Sequence, residues 1–232
     1  MKIGLLQCDH VAPELQSRFG DYNDFFVRLF QGRGDVIFAV FDVVQGEYPA
    51  SVHECDGYIS TGSRFSVYDD EPWIRWFKQF VRELYFQKQK FVGVCFGHQM
   101  IAEALGGRCG KADAGWGIGV KEVVIQNRRG WMTPEQNRYR LLVSHQDQIL
   151  QLPPEARVVG ENSHCPVSML MVGDHFLGIQ AHPEFTPDYA RELMRMRTDR
   201  IGLAAVTAAE NTLDQQTDES VIAGWMISFW EK

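Results

Sequence analysis

Two short stretches of the chain hold side chains suited to covalent chemistry. The first is Gly93-Val94-Cys95-Phe96-Gly97, a thiol with a glycine two residues before it and two after. The apolar run Phe91 to Val94 leads in, and apolar residues at helical spacing, Met100, Ile101, Ala104 and Leu105, lead out to Gly106-Gly107. This order reads as strand, sharp turn and helix with the cysteine at the turn, a thiol version of a nucleophile elbow. At a helix start, free backbone N–H groups and the helix dipole favour thiolate over thiol, and the N–H of Phe96 is placed to meet an oxyanion on an attacked carbonyl. A cysteine among apolar residues is otherwise a small buried side chain, and a thiol nucleophile also needs a base. The second stretch, Ala181-His182-Pro183-Glu184, supplies one. With one residue between them, the Glu184 carboxylate can orient one imidazole nitrogen of His182 while the other faces outward, which is base plus orienter.

These groups need a frame. Lys2 to Cys8 reads as a first strand, Asp21 to Arg33 as a capped amphipathic helix and Val36 to Val44 as a second strand. Gly57-Tyr58-Ile59 is a short strand ending in the small-residue loop Ser60 to Arg64, and strand ends of this kind gather ligand sites in α/β sheets. Pro72 opens a helix whose aromatic residues, from Trp73 to Phe80, sit at core-packing intervals. Alternating strands and helices predict a parallel sheet covered on both faces. Beyond Gly107 the pattern changes to short strands at 120–125, 139–144, 157–160, 167–172 and 176–181, an antiparallel run joined to that sheet. Gly115 to Gly119 imitates a phosphate loop, but a strand and not a helix follows it. Helices are predicted at 188–200 and 219–230, separated by a polar loop at 210–218.

Bulk properties narrow the function. The 232 residues suit one large α/β domain. A net charge of -7, from 23 Lys+Arg against 30 Asp+Glu, argues against a nucleic-acid or anionic membrane surface. Five scattered cysteines suggest reduced thiols and a cytoplasmic setting, the N-terminus reads as a strand and not a signal peptide, and no apolar stretch approaches a membrane span. His53 and Cys55 lack a second pair at zinc spacing, so no metal and no cofactor is expected.

Taken in order, Ser60-Thr61-Gly62-Ser63, GVCFGHQMIAEALGG, Ser144-His145-Gln146-Asp147-Gln148-Ile149 and GIQAHPEF resemble the class I, triad-type glutamine amidotransferases over residues 1–195. Within that family it resembles the glutaminase domain of GMP synthase and the stand-alone γ-glutamyl peptidases. The resemblance implies a flavodoxin-like three-layer α/β sandwich with a mixed, mostly parallel central sheet and a small antiparallel sheet. With no internal repeat, low-complexity tract or linker, one domain is expected over 1–232, with a core to about 195 and a C-terminal helical extension over 196–232. Cys95, His182 and Glu184 carry over as nucleophile, base and orienter, the backbone N–H groups of Gly62 and Phe96 as the oxyanion hole, and Gln99, Ser144, His145 and Gln146 as substrate contacts. His98 carries over as a residue that fixes local structure. The implied reaction is hydrolysis of a γ-glutamyl amide bond, in glutamine or a γ-glutamyl peptide or amine, through a glutamyl thioester. The chain has no GxxxxGKS/T or SGGxDS signature of an acceptor domain. The alternatives are a glutaminase subunit that delivers ammonia to a separate synthase chain, and an inactive regulatory or binding module.

Overall fold

The computed structural model describes residues 1–232. Its elements are β1 (Lys2–Gln7), α1 (Pro13–Phe19), α2 (Tyr22–Phe30), β2 (Ile37–Asp42), β3 (Gly57–Ser60), α3 (Pro72–Phe86), β4 (Phe91–Val94), α4 (Phe96–Ala104) and β5 (Arg108–Lys111). There follow β6 (Gly117–Ile125), β7 (Arg138–His145), β8 (Asp147–Gln151), β9 (Ala156–Glu161), β10 (Met169–Val172), β11 (Phe176–Ile179), α5 (Pro187–Met196), α6 (Thr198–Ile201), α7 (Leu203–Glu210) and α8 (Glu219–Glu231).

Nine strands form one sheet in the order β2-β1-β3-β4-β11-β10-β9-β6-β7, and β5 pairs with β8 in a second, antiparallel one. From β2 to β11 all neighbours are parallel. From β11 to β7 they are antiparallel, so the predicted switch in character falls at β11. Side chains alternate across the sheet. Ile3, Leu5, Ile59, Val92 and Val94 face α2 and α8 in one core, while Leu6, Tyr58 and Phe91 face α3 and α4 in the other. This is the mixed three-layer α/β arrangement expected, and α8 is integral to it: Trp225, Met226, Phe229 and Trp230 are buried in the first core. Each such side chain stabilises the fold by about 1.5–3 kcal/mol when fully buried.

Asp21 caps α2 as anticipated. Its carboxylate accepts the Tyr22 N–H, and the Asp24 side chain accepts the Asp21 N–H in return. Four elements were not foreseen: α1, α7, β5 and β8. The helix predicted over 188–200 breaks, with α5 ending at Met196 and a separate turn, α6, ending at Ile201 and followed by Gly202, whose φ is 97. No helix is long and apolar enough to cross a membrane.

Candidate active site

Cys95 is the N-cap of α4, immediately after β4, and its backbone is held at φ 50, ψ -95. Positive φ in a residue with a Cβ costs about 1–3 kcal/mol and persists only where the surroundings enforce it. Here the enforcing contacts are visible. A Cβ on Gly93 would lie 2.4 Å from the Gly97 carbonyl carbon, and a Cβ on Gly97 would lie 1.8 Å from Ser60 Oγ. Neither glycine has positive φ. The two glycines therefore let strand, helix and neighbouring strand approach closely, while the unusual dihedrals of the sharp turn fall on the cysteine itself.

β11 lies beside β4 in parallel register, Ile179 opposite Val94, so the chain leaving β11 passes Cys95. The Cys95 N–H donates to the Ile179 carbonyl at 2.8 Å, and the His182 N–H donates to the Leu142 carbonyl of β7 at 2.8 Å. The imidazole Nδ1 meets Glu184 Oε1 at 2.8 Å, and the ring stacks on Phe185 at 3.9 Å between centroids and 7° between planes. Both His182 and Glu184 are buried. Burial alone disfavours the charged ring, but the Glu184 carboxylate and then Cys95 outweigh it, and the His182 pKa is held well above its ordinary value. Linkage fixes the sign of the consequence. The imidazolium's contribution to stability is complete below the unfolded value of about 6.5 and is lost as pH rises through the elevated folded value. The difference in urea midpoint between the parent and His182→Asn should be flat below about pH 6.5 and shrink from there toward the elevated folded value. A difference that widened with rising pH would contradict this assignment.

Two other buried histidines surround the site without that character. His98 is pushed down to about 4 by burial, and a Cβ on Gly178 would lie 2.6 Å from its Nδ1, so it fills the space beneath β11. His145 is pushed down to about 3, by burial and then by His164, and its Nδ1 donates to the Asp147 carbonyl at 3.2 Å. Both rings are neutral near pH 7.

Gly62 stands against the same pair. A Cβ there would lie 2.9 Å from His182 Cε1 and 3.6 Å from Cys95 Cβ. Its loop is tied to the end of β1, with Thr61 Oγ1 accepting the Cys8 N–H at 2.9 Å and buried Asp9 accepting the Arg64 N–H at 2.7 Å. The Gly62 N–H has no backbone acceptor, and the Phe96 N–H is one of those that a helix start leaves without a partner.

Gln99, Ser144, His145 and Gln146 all line the cleft that reaches Cys95. The cleft is cationic in an acidic chain: Arg64, Lys111, Arg197 and Arg200 border it, against one carboxylate, Asp147. Arg197 donates to Ser144 Oγ at 3.0 Å, and Arg200 lies over the Trp116 ring. Lys111, Arg197 and Arg200 make no ion pair within the chain, whereas Asp147 accepts the Ser66 hydroxyl at 2.5 Å. Asp147, Arg197 and Gln180 were missed by sequence reasoning. Asp147 lay inside the quoted Ser144–Ile149 stretch, but nothing around Arg197 sets it apart from its neighbours.

A family model described as glutamine amidotransferase class-I matches residues 66–197. Among known proteins, γ-glutamyl peptidase 3 of Arabidopsis thaliana is 30% identical over 198 residues, covering 82% of this chain and 78% of that protein. γ-Glutamyl peptidase 4 of the same plant is 34% identical over 179 residues, covering 73% and 70%. Among solved structures, a glutamine amidotransferase from Thermotoga maritima superposes with a TM-score of 0.75 at 18% identity, covering 100% of this chain and 96% of that one. This last match speaks for the fold alone.

Proposed function

The chain belongs to the class I glutamine amidotransferase family, and on that premise we propose that it hydrolyses γ-glutamyl amide bonds with Cys95, His182 and Glu184 as its triad. The observation that carries the proposal is a buried imidazole held by Glu184 beside Cys95, its positive charge favoured, at the foot of a polar cleft. Cys95 Sγ attacks the γ-carbonyl, the oxygen takes the electron pair, and the N–H groups of Gly62 and Phe96 receive it. Collapse expels the amine, which leaves with a proton from His182. Water then attacks the thioester as His182 takes its proton, and glutamate and free Cys95 are restored.

The preferred substrate in this proposal is a γ-glutamyl peptide. Two relatives with substantial coverage bear the name γ-glutamyl peptidase. The unpaired cations Lys111, Arg197 and Arg200 offer more positive charge than the single α-carboxylate of glutamine requires. Gln99 and Asp147 supply acceptors for an α-ammonium group. The purified chain should release glutamate from γ-glutamyl dipeptides without any added protein, and more efficiently than from glutamine. Silence on every such substrate, relieved only by a synthase chain, would replace this reading with that of an ammonia-delivering subunit. Silence under both conditions would leave a binding module.

A further inference from the structure

We propose that Gln180 is a fixed hydrogen-bond donor to the Cys95 sulfur, oriented by Gln99, and that this amide holds the nucleophile in its reactive form. Gln180 follows β11 and is 1% exposed, with its backbone N–H donated to the Ser168 carbonyl at 2.9 Å. Its Nε2 stands 3.6 Å from Cys95 Sγ, within range for a bond to sulfur, and its Oε1 accepts Gln99 Nε2 at 3.1 Å.

The direction of this chain of amides follows from its far end. Gln99 Nε2 also meets the Asp147 carbonyl at 2.9 Å, and a backbone carbonyl only accepts. Gln99 must therefore turn its NH2 that way, and the same NH2 serves Gln180. Gln180 must then present oxygen to Gln99 and N–H to sulfur. Gln99 consequently spends both donor hydrogens inside the protein and has only Oε1 left for a ligand.

The other titratable groups around this amide do not replace it. Cys165 is pushed up to about 11 by burial and stays a thiol, and His145 and His164 are lowered by burial and stay neutral. Lys121 borders the same small cavity with Gln180 from β6. Gln180 is the side-chain donor that reaches the sulfur, and His182, the titrating group beside it, gives its proton away when the amine leaves. The amide does not titrate. It faces the sulfur when its electron pair attacks the γ-carbonyl, and again when the thioester C–S bond breaks and the pair returns to sulfur. A donor to the charged form of a group favours that form.

This inference rests on the proposed triad, but its test needs no γ-glutamyl substrate. Gln180→Glu keeps the size and the bond from Gln99 while turning an acceptor toward sulfur, and Gln180→Met removes the amide altogether. Alkylation of Cys95 by iodoacetamide, followed across pH by mass spectrometry of its peptide, should slow about tenfold near pH 7 in either variant. The midpoint of the rate profile should move to higher pH with the alkaline plateau unchanged. Profiles in the folded variants that superpose on the parent's would overturn the role of Gln180, whatever substrate the protein hydrolyses. A fall in rate of the same size at every pH would do so too, since it would mark a change in access and not in the state of the sulfur.

Discussion

Cys95→Ala is expected to lower γ-glutamyl hydrolysis by roughly ten-thousandfold or more while the fold is retained. Without Sγ no thioester forms, and what remains is the effect of the cleft and the oxyanion donors on attack by water. His182→Ala should cost nearly as much, and the double variant little more than either single one, because the two residues act as a unit. Stability should move differently from activity at this position. Because Cys95 sits at φ 50, Cys95→Gly should be about 1 kcal/mol more stable than Cys95→Ala, both being equally inactive. Steady-state rates with a γ-glutamyl dipeptide and urea unfolding of the three proteins test this together. Substantial hydrolysis by folded Cys95→Ala would remove the triad from the account.

The largest loss of stability is expected from Gly93→Ala. The added methyl would lie 2.4 Å from the Gly97 carbonyl carbon and oxygen and 2.7 Å from the His98 nitrogen, all backbone atoms of the first turn of α4. To admit it, the helix must lift from β4, which lies in the middle of the sheet, at a cost of at least about 3 kcal/mol. Gly97→Ala makes the shorter contact, 1.8 Å, but with Ser60 Oγ, a hydroxyl that can rotate. Its cost should be about 1–2 kcal/mol, partly offset by better helix propensity, and Ser60→Ala should recover some of it. Urea midpoints in the order parent, Gly97→Ala, Gly93→Ala are the expected result. A Gly93→Ala protein as stable as the parent would mean that the contact between β4 and α4 is looser than described.

What could be read from the sequence was what is local. The elbow, its flanking glycines and the His182-Pro183-Glu184 turn each lie within a few residues, and the change from parallel to antiparallel strands showed in the apolar pattern. β5 and β8 escaped because Arg-Cys-Gly-Lys and Asp-Gln-Ile-Leu-Gln have little alternation of their own and pair only with each other. The helix α7, Leu-Ala-Ala-Val-Thr-Ala-Ala-Glu, carries small apolar residues on most sides and so lacks a marked stripe. Gln180 was in plain view beside Ala181 and His182, but the direction of its side chain depends on the register of β11 against β4. Arg197, which borders the cleft, is the residue at which α5 has ended, a boundary its own sequence does not mark.

The pairing of β4 with β11 also bears on when the site comes into being. Gln180 and Cys95 are separated by 85 residues, and closing so long a segment is the kind of non-local step that slows folding. A chain synthesised from its N-terminus exposes the elbow well before the partners that would activate it. Until β11 docks, the thiol has neither Glu184-bound imidazole nor amide beside it. If the chain works as proposed, its activity would report that the last strand of the central sheet is in place, and a γ-glutamyl substrate would serve as a probe of late assembly in this fold.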